Sequence, residues 1–155
     1  MDKLNGLYPP FRDKAKTIVE LLQQYVDMHH KDLGLKVLVT EGFRTAAYQN
    51  SLWKKGRLTP PIGKAYTVTN CDGYIFKSNH QSSLAFDIAF TSKGVLKWVL
   101  PEEIWQYFGH LLRVYGLKWG GDWKSTKDRP HGEWDPKDKA TYQKAKEWQR
   151  LNGLR

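Results

Sequence analysis

Cysteine is nearly missing from this chain. Cys71 is the only one in 155 residues, so no internal disulfide can form and cysteine-rich zinc sites are excluded; a reducing compartment of synthesis is expected. Long apolar runs are missing too. None approaches the roughly 20 residues that a membrane helix requires, so no membrane insertion is expected. The opening residues, Met1-Asp2-Lys3-Leu4-Asn5-Gly6, lack the basic-then-apolar pattern of a secretory signal. The expectation is a protein made in a cytoplasm without a signal peptide. Acidic residues are scarce, 16 against 25 lysines and arginines, giving a formal charge of +9. Such an excess suits a polyanionic partner. The basic residues are scattered, however, and no nucleic-acid motif accompanies them, so no nucleic-acid partner is expected. Without a linker or an internal repeat, residues 1–155 read as one domain, long enough to bury a core.

Aromatic residues are abundant, with seven tryptophans. Residues 11–30 read as an amphipathic helix, because Phe11, Ala15, Ile18, Val19, Leu22 and Val26 recur at three- and four-residue steps. His29 and His30 at its end read as solvated. Leu35–Thr40 reads as a strand, and Thr45 caps a helix that runs to Leu52 and Trp53 and stops at Gly56. Residues 57–79 show no period, and Pro60, Pro61, Gly63 and Gly73 punctuate them. Tyr66, Val68, Tyr74, Ile75 and Phe76 in that stretch call for burial or a ligand, so it should wrap one wall of a cleft. Pro101-Glu102-Glu103 opens a further helix closed by Gly116. Leu117–Trp119 returns as a strand, and Lys137–Leu151 reads as a basic helix. The class expected is α+β, a small antiparallel sheet with flanking helices.

The organising stretch is Ser78 to Phe90. As a strand, it points Leu84, Phe86, Ile88 and Phe90 to one face and Ala85, Asp87 and Ala89 to the other. An unpaired buried carboxylate would cost several kcal/mol, roughly, so Asp87 needs a cation or strong donors. The flanking alanines leave room for a metal ion. His80 lies seven residues earlier, and Asp128 precedes His131 by three, a spacing that a turn at Pro130 can bring together. Two histidines and one carboxylate, with a fourth position left to water, make a catalytic zinc site. His80, Asp87 and His131 are thus candidate ligands for Zn2+, and Asp128 is the candidate general base. Glu133 is a rival base, and the neighbouring tryptophans are candidate walls. Arg44 falls where a strand hands over to a helix, a common place for a functional side chain; pairing with Glu41 is the plainer alternative.

These residues resemble a known family. Ser78, His80, Ala85 and Asp87 fit Ser-x-His-x-x-Gly-x-Ala-x-Asp, and Asp128 with His131 fits acid-x-x-His. Both motifs are similar to those of the zinc D-Ala-D-Ala carboxypeptidases and dipeptidases and the L-alanyl-D-glutamate peptidases of phage endolysins. Glu41–Thr45, Tyr48-Gln49, Leu52, Gly56-Arg57 and Val68-Thr69 extend the resemblance over roughly residues 35 to 134. One departure stands out: Ser83 takes the place of the family's glycine. The resemblance implies that Arg44 binds or polarises substrate near the metal and that Ser78 lies at the substrate site.

The resemblance implies a zinc peptidase of the endolysin type that hydrolyses peptidoglycan stem peptides, and a monomer is expected. The expected bond is L-alanyl-D-glutamate, and the expected place of action is the cell wall after release. Alternatives are a D-Ala-D-Ala carboxypeptidase or dipeptidase of the same family, and a non-catalytic zinc-stabilised module that binds wall peptides. A metal-dependent nuclease is a third class compatible with the charge.

Overall fold

The computed structural model describes residues 2–55, 57 and 67–154. Among them, four helices, α1 (Pro9–His29), α2 (Ala46–Lys54), α3 (Glu102–Val114) and α4 (Lys139–Leu151), surround a five-stranded sheet. Its strands are β1 (Leu35–Glu41), β2 (Ala85–Ser92), β3 (Val95–Lys97), β4 (Lys118–Trp119) and β5 (His131–Glu133). Every pairing is antiparallel, in the order β1-β2-β5-β4, with β3 also on β2. The expected α+β class is what the chain adopts.

Strand β2 is central because both of its edges are occupied. Along one edge β1 pairs from Leu35 opposite Ser92 to Glu41 opposite Asp87, with an irregularity between Val39 and Glu41. The other edge is divided: β5 takes Ala85–Asp87, and β3 takes Phe90–Ser92. The β3 pairing has no counterpart in the sequence reading, since its three residues are too few to show a period. Between the two partners, the Ile88 N–H donates to the Pro130 carbonyl at 3.1 Å, so the edge is not left open.

Alternation along β2 sorts the chemistry. Leu84, Phe86, Ile88 and Phe90 have no exposed surface and join the core. Phe86 meets Phe11 of α1 and Phe108 of α3 edge-on, with centroids 5.8 and 6.1 Å apart, and Phe90 meets Trp105 at 5.1 Å. Burying each such side chain is worth about 1.5–3 kcal/mol. The helices therefore cover this face, leaving Ala85, Asp87 and Ala89 on the other.

Helix α1 starts two residues before its apolar period because Pro9 and Pro10 occupy its first turn, where a missing N–H costs nothing. His30, expected in solvent, is instead buried, 8% exposed. The chain tightens there into a 3-10 turn, and the His30 ring lies against Tyr25 and 3.3 Å from Glu103 of α3. His29 is exposed as expected. The Gly56 stop and the readings placed on Pro60, Pro61, Gly63 and Tyr66 lie outside the described residues.

Candidate metal centre

His80 sits on a 3-10 turn, Asn79–Ser82, whose start is fixed by Ser78. The Ser78 hydroxyl accepts the His80 N–H at 3.3 Å, while Gln81 Oε1 accepts the Ser78 N–H at 3.0 Å, a reciprocal cap that holds both backbones. The His80 Nδ1 lies 2.8 Å from the carbonyl of Gly42. A carbonyl can only accept, so Nδ1 carries a proton and Nε2 is the nitrogen left available to a metal. That Nε2 is 3.3 Å from Asp87 Oδ2.

His131 opens β5 directly opposite Asp87. The turn expected at Pro130 is present: the His131 N–H donates to the Asp128 carbonyl at 3.2 Å. Gly120 makes room for it, since a Cβ there would strike the Asp128 carbonyl, and the Gly120 carbonyl accepts the Asp128 N–H at 3.0 Å. His131 Nδ1 is 2.9 Å from Asp87 Oδ1, and its Nε2 is 2.8 Å from Glu133 Oε2. The two imidazoles lie 5.2 Å apart, centroid to centroid.

His80, Asp87 and His131 thus each offer one donor atom, all within 4.8 Å of one another. Two imidazole nitrogens and a carboxylate on a largely buried patch fit a divalent ion with an affinity for nitrogen, such as zinc. The electrostatics agree. Burial alone would raise the Asp87 carboxyl, but His80 and His131 outweigh it and hold the group well below the usual carboxylate range. Burial would likewise lower His131, but hydrogen bonds to Asp87 and Glu133 push it up to about 10.

Asp128 stands apart from this trio. Burial first, and then the charge of Asp87, push its carboxyl above the ordinary value. Among the described residues no hydrogen-bond donor reaches that carboxylate, and it feels both histidines and Arg44. Glu133, the rival base, is differently placed. It is only 7% exposed, and its Oε2 is engaged by His131 and by the Asn79 side-chain amide at 2.6 Å.

Arg44 pairs with Glu41 and also reaches the metal-site carboxylate. Its NH2 group donates to Asp87 Oδ2 at 2.9 Å, its Nε to Glu41 at 3.4 Å, and its NH1 group to Gln49 at 3.4 Å. A guanidinium has five N–H donors; three contacts leave two for a ligand. Thr45 caps α2 as expected, accepting the Tyr48 N–H. Gln49, fully buried, also donates to Thr69 and to the Cys71 carbonyl, which ties the loop to Arg44. Cys71 is half-buried and its thiol is raised, chiefly by burial. Trp123 is 37% exposed, and its ring lies 5.2 Å from that of His131. Asp122 pairs with Arg113 on the surface.

The loop reading needs one correction. Tyr74, Ile75 and Phe76 are not buried but 59%, 81% and 67% exposed. A single oxygen of Asp72 accepts all three of their N–H groups, each at 2.9 Å. Local hydrogen bonds order this tip where a core would otherwise be needed.

Sequence reasoning missed Asn79 and Gln149. Gln149 of α4 donates to the Gln81 carbonyl and to Ser83 Oγ, both at 2.8 Å. Asn79, adjoining His80 in the motif, carried a weak signal; an amide in a basic helix carried none.

The family model described as D-alanyl-D-alanine carboxypeptidase matches residues 72–134, the segment that carries His80, Asp87, Asp128 and His131. The chain is 35% identical over 111 residues to the peptidoglycan L-alanyl-D-glutamate endopeptidase CwlK of Bacillus subtilis, an alignment covering 66% of this chain and 63% of that protein. The chain therefore spans somewhat less than two thirds of the length of this relative. Its fold is shared with the Serratia marcescens L-Ala D-Glu endopeptidase ChiX (21% identity, TM-score 0.55, 88% of this chain and 86% of that one). It is shared also with the L,D-carboxypeptidase DacB of Streptococcus pneumoniae (20% identity, TM-score 0.56, 89% and 72%).

Proposed function

We propose that this chain is a zinc-dependent peptidoglycan peptidase that hydrolyses stem-peptide amide bonds, with L-alanyl-D-glutamate as the bond cut. The observation that carries the reading is the convergence of one donor atom each from His80, Asp87 and His131 within 4.8 Å, with His80 Nε2 3.3 Å and His131 Nδ1 2.9 Å from the Asp87 carboxylate. Zinc held by these three residues would supply Lewis acidity toward the scissile carbonyl and toward water. Asp128 accepts the proton of the attacking water and returns it to the departing amine. Its raised carboxyl suits that exchange better than an ordinary aspartate would. The spare N–H groups of Arg44 face the oxyanion or a substrate carboxylate. Ser78 fixes the His80 turn through its oxygen and keeps its own O–H for substrate. Trp123 forms a wall beside His131.

The named activity of CwlK supports the choice of bond. A charge of +9 suits an anionic wall. We extend the reading to a monomeric lysin of the phage type that acts on the wall after release. Incubation of the zinc-loaded protein with purified peptidoglycan, followed by mass spectrometry of the products, tests it. New amino-terminal D-glutamate is expected. Release of free D-alanine instead would make the chain a carboxypeptidase, and binding without cleavage would make it a wall-peptide module.

A further inference from the structure

We infer that Glu133 is the positioning residue of this centre, the group that turns His131 so that Nδ1, not Nε2, faces the metal. The inference rests on the zinc reading above and deepens it. Histidine offers two nitrogens, and which one binds is decided by what the other is given. The two histidines here are given different partners. His80 donates from Nδ1 to the Gly42 carbonyl and presents Nε2. His131 is reversed: Nε2 meets Glu133 Oε2 at 2.8 Å, so Nδ1 is presented toward Asp87 at 2.9 Å.

Local sequence explains how the carboxylate gets there. His131 and Glu133 are two apart on β5, and alternation sends both side chains to the same face. Glu133 is opposite Ala85 on β2, whose small side chain leaves space. Glu133 is 7% exposed, too buried to be there for solubility, and Asn79 also donates to the oxygen that takes His131. Asn79 is bonded directly to His80. Glu133 therefore joins both histidine-bearing segments, one through the ring of His131 and the other through the residue before His80. With that carboxylate committed to imidazole and amide donors, no proton transfer to water is assigned to it.

The test uses the full chain. Zinc affinity is measured by chelator competition at one pH on the unaltered protein, Glu133→Gln and Glu133→Ala, and the imidazole nitrogens of the zinc-loaded forms are observed by long-range proton–nitrogen NMR. The unaltered protein should show His131 protonated at Nε2 with metal at Nδ1, and His80 the reverse. Removing such an outer partner weakens metal binding about 10–100-fold, and Glu133→Ala should fall in that range. Glu133→Gln keeps an oxygen that can accept the Nε2 proton, so it should hold zinc more tightly than Glu133→Ala while showing the same His131 nitrogen pattern. Glu133→Ala binding within twofold of the unaltered protein would overturn the inference. So would Glu133→Gln binding no better than Glu133→Ala, or metal at His131 Nε2. Failure of the unaltered chain to take up zinc would instead overturn the reading on which the inference rests.

Discussion

Gln149, near the end of α4, donates its amide to the hydroxyl of Ser83, 66 residues earlier and 2.8 Å away. Ser83 has a φ of +59°, the left-handed conformation that favours glycine, and has no exposed surface. The family's glycine has thus been exchanged for a residue that bears strain and gains a partner. The last helix is fastened by that partner to the loop that carries His80.

Substitutions at Ser83 should separate these two effects. A non-glycine residue in the left-handed region costs about 1–2 kcal/mol, and a hydrogen bond contributes about 0.5–1.5 kcal/mol. Ser83→Ala keeps the strain and loses the bond, so urea unfolding should show a loss of about 1 kcal/mol. Ser83→Gly loses the bond but relieves the strain, and should come out more stable than Ser83→Ala. The reverse order would mean that strain at this position is negligible.

The difference between these two partners shows what the sequence could carry. His80, Asp87 and His131 were legible because strand alternation isolates a carboxylate between two alanines and because the spacings match a known motif. The departure at Ser83 was legible from the same motif, but its left-handed backbone was not. Gln149 was not, since a glutamine among lysines looks solvated until α4 is seen lying across the loop. Glu133 was legible as chemistry but not as geometry: only the register of β2 with β5 shows that its carboxylate is taken by a ring nitrogen. The exposed tip at Tyr74–Phe76 defeated an argument from hydrophobicity, because backbone hydrogen bonds to Asp72 replaced burial.

Asp128→Asn should retain zinc and lose hydrolysis. The amide has nearly the same volume but cannot take a proton from water, and general-base loss typically costs about 10²–10⁴-fold in rate. Zinc content and peptidoglycan hydrolysis measured on one preparation decide the matter. If zinc is lost with the rate, Asp128 is a ligand; if hydrolysis is near normal, the base lies elsewhere.

Metal content should follow the three converging donors. Elemental analysis of the purified chain should give about one zinc per protein, as expected for a four-coordinate site with three protein ligands. His80→Ala and His131→Ala should each lose most of it. Stoichiometric zinc in both variants would show that the ion is held by other groups.

The metal-stripped protein should lose stability in alkali. His131 is raised to about 10 in the folded chain by its hydrogen bonds to Asp87 and Glu133, against burial. A group raised on folding adds stability that is fully present below its unfolded value, near 6.5, and is lost as pH climbs toward 10. Melting temperatures of the chelated protein should therefore decline between those limits. Zinc-loaded protein should not show this decline, because the proton has already left the ring. Parallel curves with and without zinc would rule the coupling out.

The Asp72 tip has a separate consequence. Because one carboxylate oxygen holds the backbone of Tyr74, Ile75 and Phe76, these three side chains are mounted on a rigid support while remaining open to solvent. Whatever settles against them meets a surface whose main chain is already ordered, so association there forfeits only side-chain freedom. Such a surface selects by shape: it cannot remodel itself around a poorly matching contact, and it releases a good one without having to unfold.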